Sequence, residues 1–244
     1  MTSPRRSDRT VGMAAGTDTF APEAPKLCGL CPRLVDFRQD NRRKAPDWFN
    51  GAVPSFGDAA ASLLIVGLAP GLNGANRTGR PFTGDYAGDL LYATLLEFGF
   101  AKGHYAARPD DGLRLVDCMI SNAVRCVPPQ NKPIPAEIAT CCGYLRARLA
   151  ALPNLSAIIA LGRIAHDSTL TALGCRKAQF PFAHGAQHDV RPGVRLYDSF
   201  HCSRYNTNTR RLTPEMFHAV FAAVRERLPA SPTGKRSAKV LSNH

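Results

Sequence analysis

Four cysteines have the chemistry, and in part the spacing, to hold a metal. Cys28 and Cys31 form a C-x-x-C pair, while Cys126 and Cys141 follow much later in the chain. Four thiolates suit either a tetrahedral zinc ion or an iron–sulfur cluster. Only one half of the set is tightly spaced, so four buried thiols without a metal remain an alternative. Cys142 could replace its neighbour Cys141 as a ligand. The other three cysteines lack a partner at metal spacing and are interpreted as structural: Cys118, Cys175 and Cys202.

A glycine-rich segment, GLAPGLNGANRTGRPFTGDYAG (67–88), is a second candidate site. Its glycines permit tight turns and close approach of the backbone to a ligand. It has neither the Gly-Lys-Ser/Thr ending of a phosphate-binding loop nor the spacing of a dinucleotide-binding loop. Phe82 could offer a ring face to a flat ligand or anchor the loop in the core. Asp85 could cap the following helix or place a carboxylate beside a reacting group. The residue types leave both alternatives open.

Polar groups also follow two later apolar runs. Asn122 carries a donor and an acceptor, so it could hold a polar ligand or satisfy a turn. His201 opens the segment HCSRYNTNTRR (201–211), which is polar and basic and carries one aromatic ring. Arginine and tyrosine among small polar residues suit contacts to a nucleic-acid backbone and its bases. A solvated surface loop is the alternative.

Strands alternating with helices would have to position these groups. Four short apolar runs predict buried strands, and longer segments with helical periodicity follow them. This alternation predicts a single α/β domain with a central, mostly parallel four-stranded sheet flanked by helices. Ligands of such sheets bind beyond the carboxyl ends of the strands, where the three polar segments would lie. The predicted strands are 63–66, 119–124, 157–161 and 194–200, and the predicted helices are 89–98, 135–152, 164–173 and 214–224.

The composition indicates a polyanionic partner. The 244 residues include 31 Lys and Arg against 19 Asp and Glu, which gives a formal net charge of +12. Such a surplus favours nucleic acid through phosphate contacts and counterion release. Part of the charge lies near the ends, but much is internal. The internal cations include Arg42, Arg43, Lys44, Arg77, Arg80, Arg204, Arg210 and Arg211.

Residues 1–25 and 229–244 read as disordered basic tails, which leaves 26–228 as the folded domain. No segment has the apolar run of a membrane span, and the N-terminal stretch lacks the apolar core of a secretory signal. We therefore expect a cytoplasmic protein without a membrane partner. Eight cysteines in such a protein favour metal binding or free thiols over disulfides.

Taken in order, these motifs resemble the family 5 (type B) uracil-DNA glycosylases and, less closely, the family 4 enzymes. The segment 67–88 is similar to the first family motif, NAVRCVPPQNKP (122–133) to the second and HCSRYNTNT (201–209) to the third. Leu68 stands where family 4 has Glu, which favours family 5. Two residues depart from the family pattern. Cys202 stands where proline or a small aliphatic residue is expected, and Arg210 stands where glycine is commoner.

The resemblance implies a monofunctional enzyme of base-excision repair. It would remove uracil, and other deaminated bases such as hypoxanthine, by hydrolysing the N-glycosidic bond. It would act as a monomer on double-stranded DNA whose damaged base is flipped into the pocket. The implied catalytic residues are Asp85 and His201. Substrate binding is assigned to Gly67, Ala69, Phe82, Asn122 and Asn206, and a structural 4Fe–4S cluster to Cys28, Cys31, Cys126 and Cys141.

Three other functions fit parts of the sequence. A nucleic-acid-binding module without chemistry would share the charge and the aromatic loop, but it has no use for Asp85 and His201. A redox protein would use the cluster for electron transfer. A zinc-stabilised hydrolase would carry a colourless metal in place of the brown cluster.

Overall fold

The computed structural model describes residues 20–228. Within this range the strands are β1 (Phe56–Gly57), β2 (Leu63–Gly67), β3 (Ala101–Lys102), β4 (Arg114–Leu115), β5 (Cys118–Asn122), β6 (Ala157–Leu161), β7 (Gln187–Arg191) and β8 (Val194–Ser199). The α-helices are α1 (Pro32–Lys44), α2 (Ala75–Thr78), α3 (Tyr86–Glu97), α4 (Pro135–Ala150), α5 (Arg163–Leu173), α6 (Arg204–Asn208) and α7 (Pro214–Arg227).

The main sheet has the order β1-β5-β2-β6-β8-β7. Its four central strands are parallel, which confirms the predicted α/β fold with a mostly parallel sheet. The predicted number of four strands is wrong, because β1 and β7 add antiparallel edges. β1 has only two residues and β7 carries polar residues, so neither has the apolar run by which the central strands are predicted.

The central strands are buried on both faces, and this explains their unbroken apolar sequences. Leu63 and Ile65 of β2 enter one core together with α3 and α7. Leu64 and Val66 enter the other, with α4 and α5. Side chains alternate between the faces of a strand, so one short run supplies both cores.

The predicted helices are present, with ends shifted by a few residues. α7 begins as predicted, with Thr213 Oγ1 accepting a hydrogen bond from Met216 N and Pro214 in the first turn. Sequence reasoning missed α1, because Leu34 is its one buried apolar side chain. α1 carries the basic run 42–44 in its last turn.

Residues 20–25 correct the predicted N-terminal tail, because they pack on the domain. The ring centroid of Phe20 lies 4.7 Å from that of Tyr144. Glu23 accepts hydrogen bonds from Arg125 and Arg148 at 3.0 and 2.5 Å. Both arginines are buried, so this carboxylate offsets their charge inside the fold. The remainder of the two predicted tails, 1–19 and 229–244, lies outside the described residues.

No helix within 20–228 combines the length and the apolarity needed to cross a membrane.

Candidate active site

A cavity of about 580 Å³ opens at the carboxyl edge of the parallel strands. Its wall comes from the segments that follow β2, β5, β6 and β8, where a doubly wound sheet places its ligands. Five residues assigned from the sequence line it together: Ala69, Phe82, Asp85, Asn122 and His201. They come from three segments far apart in the chain, so the fold brings the three motifs to one site.

Gly67 lies next to two residues of the cavity wall, Asn122 and Phe82, and has no side chain to keep them apart. A Cβ at Gly67 would lie 2.4 Å from Asn122 Oδ1 and 2.6 Å from Phe82 Cζ. Both distances are shorter than any non-bonded contact allows. Gly67 therefore acts through the space that it leaves, which lets the amide and the ring approach each other at the end of β2.

Phe82 is held in an unusual backbone conformation, with a φ of +52°. This left-handed region is uncommon for a residue with a bulky side chain. Tyr105 Oη donates to the Phe82 carbonyl at 3.3 Å and helps to fix it. The buried ring of Phe82 stacks near His201, with centroids 5.9 Å apart and planes inclined by 28°. The loop thus presents one ring to the cavity as part of a two-ring wall.

Asn122 ends β5 beside Gly67 and is 2% exposed. Its Oδ1 has no hydrogen-bond partner among the described residues. A buried amide oxygen without a partner costs about 1–3 kcal/mol. An N–H group of a ligand in the cavity would satisfy it.

Asp85 caps a helix and also lines the cavity, so its two predicted positions do not exclude each other. It is the N-cap of α3, with Oδ1 accepting from Gly88 N at 3.2 Å. Its other oxygen faces Gly71, which lines the cavity, and the nearby Gly74. A Cβ at Gly74 would lie 2.3 Å from Oδ2, and one at Gly71 would lie 2.9 Å away. Desolvation in this enclosed position raises the pKa of Asp85 above its usual value.

His201 follows β8 and faces the same cavity. Desolvation lowers its pKa to about 4, so the imidazole is neutral near pH 7. A neutral imidazole can donate one hydrogen bond without bringing a charge. Its backbone carbonyl accepts from Asn206 Nδ2 at 2.8 Å. Asn206, which the sequence assigned to substrate binding, does not line the cavity in this structure, and its side-chain amide bonds to His201; its contact with substrate stays a prediction.

Sequence reasoning missed several residues at the rim of the cavity: Tyr86, Asn131, Arg163, Ile164 and Ser203. Tyr86, Asn131 and Ser203 lie within the three motifs, and Arg163 and Ile164 follow the predicted strand 157–161, which were the available signals. The guanidinium of Arg204, which also lines the cavity, lies 5.1 Å from the ring centroid of Tyr86. Tyr205 next to it is 72% exposed. The segment 204–208 is helical, whereas the sequence suggested a loop.

Arg80 was grouped from the sequence with the basic residues that could contact a polyanion. In the structure it is buried and not a surface cation. Its side chain is 6% exposed and forms a two-pronged ion pair with the buried carboxylate of Asp111, with both contacts at 2.8 Å. Arg80 Nε also donates to Thr83 Oγ1 at 2.7 Å. Arg80 therefore braces the loop that carries Phe82 and Asp85.

The four cysteines assigned as ligands line a second, smaller cavity under the N-terminal segment. Hydrogen-bond donors point at two of the sulfurs. Arg125 N donates to Cys141 Sγ at 3.3 Å, and Arg38 Nη1 donates to Cys126 Sγ at 3.6 Å. Tyr144 Oη lies 3.6 Å from the sulfur of Cys28. Four sulfurs around one cavity, two of them with N–H donors, fit a metal–thiolate centre, whose thiolates are stabilised by hydrogen bonds.

Cys142 faces away from this cavity. It packs in the core between the sheet, α4 and α5, and its sulfur lies 3.9 Å from the Ser168 carbonyl. Successive residues of a helix point about 100° apart, so only one of two neighbours can face a given cavity. Desolvation raises the pKa of Cys126 to about 11 and that of Cys141 to about 12. Without a metal these thiols stay protonated.

The chain resembles known proteins over most of its length. Residues 54–225 match the family model of the uracil DNA glycosylase superfamily. A type-5 uracil-DNA glycosylase of Thermus thermophilus is 46% identical over 196 residues, which cover 78% of this chain and 89% of the relative. The type-5 enzyme of Mycobacterium tuberculosis is 41% identical, with 80% and 76% covered. That of Pyrobaculum aerophilum is 40% identical, with 77% and 83% covered.

These matches confirm the resemblance drawn from the three motifs and the uracil-DNA glycosylase-like fold. The match extends beyond the motifs, because the family model covers the whole parallel sheet and the helices on both of its faces. The chain therefore belongs to the uracil-DNA glycosylase superfamily, among its type-5 members.

Proposed function

We propose that this protein is a monofunctional DNA glycosylase that removes uracil from DNA in base-excision repair. One observation carries the proposal. A carboxylate, a neutral imidazole, an amide with an unpartnered oxygen and an aromatic ring all face one cavity in a member of this family. Hydrolysis of an N-glycosidic bond has a use for each of the four.

The target base must leave the duplex before it can enter the cavity, at a cost of a few kcal/mol. Phe82 stacks on the flipped base and recovers part of that cost. Asn122 Oδ1 accepts the N3–H of uracil, and this bond satisfies an otherwise unpartnered buried atom. Cytosine has no N–H at that position, so it would leave the oxygen unsatisfied.

As the glycosidic bond breaks, its electron pair leaves with the base and negative charge collects on the base carbonyl. The neutral imidazole of His201 donates a hydrogen bond to that oxygen. One such donor contributes about 2.7–4 kcal/mol to transition states of this kind. Asn206 positions His201 through the carbonyl contact at 2.8 Å.

The sugar becomes positively charged at the same time. Asp85 Oδ2, held open to the cavity by Gly71 and Gly74, stabilises that charge. The carboxylate also orients the water that adds to the anomeric carbon and accepts the proton that this water loses, while the released base anion takes up a proton from solvent. Oδ1 stays bonded to Gly88 N, so the helix cap fixes the catalytic carboxylate.

The rim of the cavity binds the opened DNA strand. Arg163 and Arg204 contact the phosphates, and the exposed rings of Tyr86 and Tyr205 stack on bases next to the flipped nucleotide. The wide cavity supports acceptance of other deaminated bases such as hypoxanthine. Eight cysteines without a disulfide support a protein that works in the reducing cytoplasm, where we expect it to act as a monomer.

Cys28, Cys31, Cys126 and Cys141, which line the second cavity, would hold a 4Fe–4S cluster. When bound, this group supplies a structural cross-link and no step of base excision. These cysteines lie before α1, after β5 and on α4, so their ligation ties the N-terminal segment to the sheet.

Two neighbouring serine variants test the cluster. Cys141→Ser removes a sulfur from the cavity and should lower both the iron content and the absorbance near about 400 nm. Cys142→Ser is the matched control, because its sulfur lies in the other core, and it should keep both. Equal iron loss in the two variants, or none in either, would remove Cys141 from the ligand set.

The activity is tested with a labelled duplex that contains one uracil opposite guanine. Incubation with the protein and then with alkali should give a shortened strand. A duplex with cytosine in place of uracil is the control and should stay intact. Binding of both duplexes without cleavage would refute the proposal and favour a nucleic-acid-binding module.

A further inference from the structure

A buried group of two histidines and an aspartate lies apart from both cavities. The group consists of His166 on α5, His188 on β7 and Asp198 on β8. Each histidine offers one ring nitrogen and the aspartate one carboxylate oxygen, and these three atoms all lie within 4.8 Å of one another. Their side chains are 1%, 12% and 0% exposed. Imidazole nitrogens and a carboxylate oxygen are ligands that zinc binds in proteins. None of the three residues lines the active-site cavity or the cysteine cavity.

The hydrogen bonds define which atom of His166 faces the group. His166 Nε2 lies 2.9 Å from the carbonyl oxygen of Phe180. A carbonyl only accepts, so Nε2 carries the proton of the neutral ring, and Nδ1 is the atom that points to Asp198. A histidine that gives one N–H to a backbone carbonyl and turns its other nitrogen inward has the arrangement of a metal ligand with its outer support.

His188 Nε2 and Asp198 Oδ2 face each other at 3.3 Å, and neither has a hydrogen-bond partner among the described residues. Ligand atoms bound to one tetrahedral zinc ion, at bonds of about 2.0–2.2 Å, lie roughly 3.3 Å apart. His166 Nδ1 and Asp198 Oδ1 are closer, at 2.7 Å, which is a hydrogen-bond length. A metal ion that displaced this shared proton would open the pair by about 0.5 Å.

The buried carboxylate of Asp198 also requires a positive charge nearby. Asp198 is fully buried, and no Lys or Arg within 20–228 lies at ion-pair distance from it. A buried carboxylate needs a compensating charge. Either a proton on His166 or a metal ion can supply it, and a metal ion would at the same time bind His188 Nε2 and Asp198 Oδ2, which a proton on His166 does not reach.

We propose that His166, His188 and Asp198 bind a divalent transition-metal ion, with Zn²⁺ as the best match to two imidazoles and one carboxylate. The ion would cross-link the edge hairpin β7–β8 to α5. β8 leads into His201, and α5 begins at the cavity wall with Arg163 and Ile164. The site would therefore act as a structural clamp behind the active site, separate from the cysteine cavity.

X-ray absorption at the zinc edge tests the proposal. The protein as purified is incubated with one equivalent of Zn²⁺, freed of unbound metal and measured. Nitrogen and oxygen ligands give bonds of about 2.0–2.2 Å, whereas zinc held by the cysteines gives about 2.3 Å. We expect about one zinc per chain with nitrogen and oxygen ligands only. This spectrum needs no variant, so it decides the matter even if a substitution prevents folding.

Two histidine variants locate the ion. His188→Ala changes the most exposed of the three ligands and should lose the nitrogen- and oxygen-bound zinc with no change in iron content. His218→Ala is the control: this histidine lies on α7, beside Glu97, and the variant should keep the zinc. Failure of the unsubstituted protein to retain zinc would overturn the proposal, as would sulfur-only ligation or zinc unchanged in His188→Ala. Each of these results would assign the group to a proton shared by His166 and Asp198.

Discussion

Replacement of Asp85 by asparagine separates the two roles of this residue. The carboxylate caps α3 through Oδ1 and faces the cavity through Oδ2. Asparagine caps helices as well as aspartate does, because its side-chain oxygen accepts the same bond from Gly88 N. Asp85→Asn should therefore keep the free energy of unfolding within about 0.5 kcal/mol while it removes the charge.

The loss of rate follows from the charge. A carboxylate about 4 Å from a developing sugar cation, at an effective dielectric constant of about 20, contributes about 4 kcal/mol. Since 1.36 kcal/mol corresponds to a factor of ten, the rate of excision should fall by roughly 10³. Asp85→Ala should lose the same rate and, in addition, about 1 kcal/mol of stability from the missing cap.

Single-turnover excision of uracil from a labelled duplex measures the rate, and urea unfolding measures the stability. DNA binding by Asp85→Asn should persist, because Asp85 is not a phosphate contact. An unchanged rate in Asp85→Asn would refute the role of the charge. Equal stability of Asp85→Asn and Asp85→Ala would refute the role of the cap.

Two further predictions follow from the surroundings of the carboxylates. Excision needs Asp85 ionised and His201 neutral. The rate should therefore fall as the pH drops through the raised pKa of Asp85, and it should show no inflection near the usual histidine pKa, because the pKa of His201 is lowered. Single-turnover rates measured from about pH 4 to about pH 8 check this, and a histidine-like inflection near about 6.5 would contradict it. Asp111→Asn should cost about 3–5 kcal/mol in the free energy of unfolding, because it leaves the buried Arg80 without its counter-charge. Urea unfolding measures that loss. The ion pair with Arg80 lowers the pKa of Asp111 below its value in the unfolded chain. The contribution of the pair to the free energy of unfolding is therefore complete above the pKa of the unfolded carboxyl, and it is lost as the pH falls from there through the lowered pKa of the folded protein. A midpoint equal to that of the unsubstituted protein would show that the pair is not stabilising.

The parallel strands and most helices could be predicted because local sequence decides them. β2, β5, β6 and β8 are buried on both faces, so their apolar runs stand out. The start of α7 is indicated by the N-cap residue Thr213 and by Pro214 in the first turn. The edge strands β1 and β7 and the helix α1 have no such signal, since contacts with the rest of the fold stabilise them.

The contents of the site were predictable in part. The sequence placed Phe82, Asp85, Asn122 and His201 after strands, and parallel strands end at one edge. It could not show that the Asn206 side chain bonds to the His201 carbonyl, because a polar side chain after a strand can face a ligand or a backbone carbonyl.

By itself, the sequence determined the α/β class and the family, and it predicted the residues proposed to carry the chemistry, because periodicity, motif order and residue type are local properties of the chain. The tertiary structure alone decided that Cys141 and not Cys142 faces the other three cysteines, that Asp85 both caps a helix and faces the cavity, and that Arg80 is buried. Each of these depends on the direction of a side chain relative to partners distant in sequence. Only the packed fold fixes that direction.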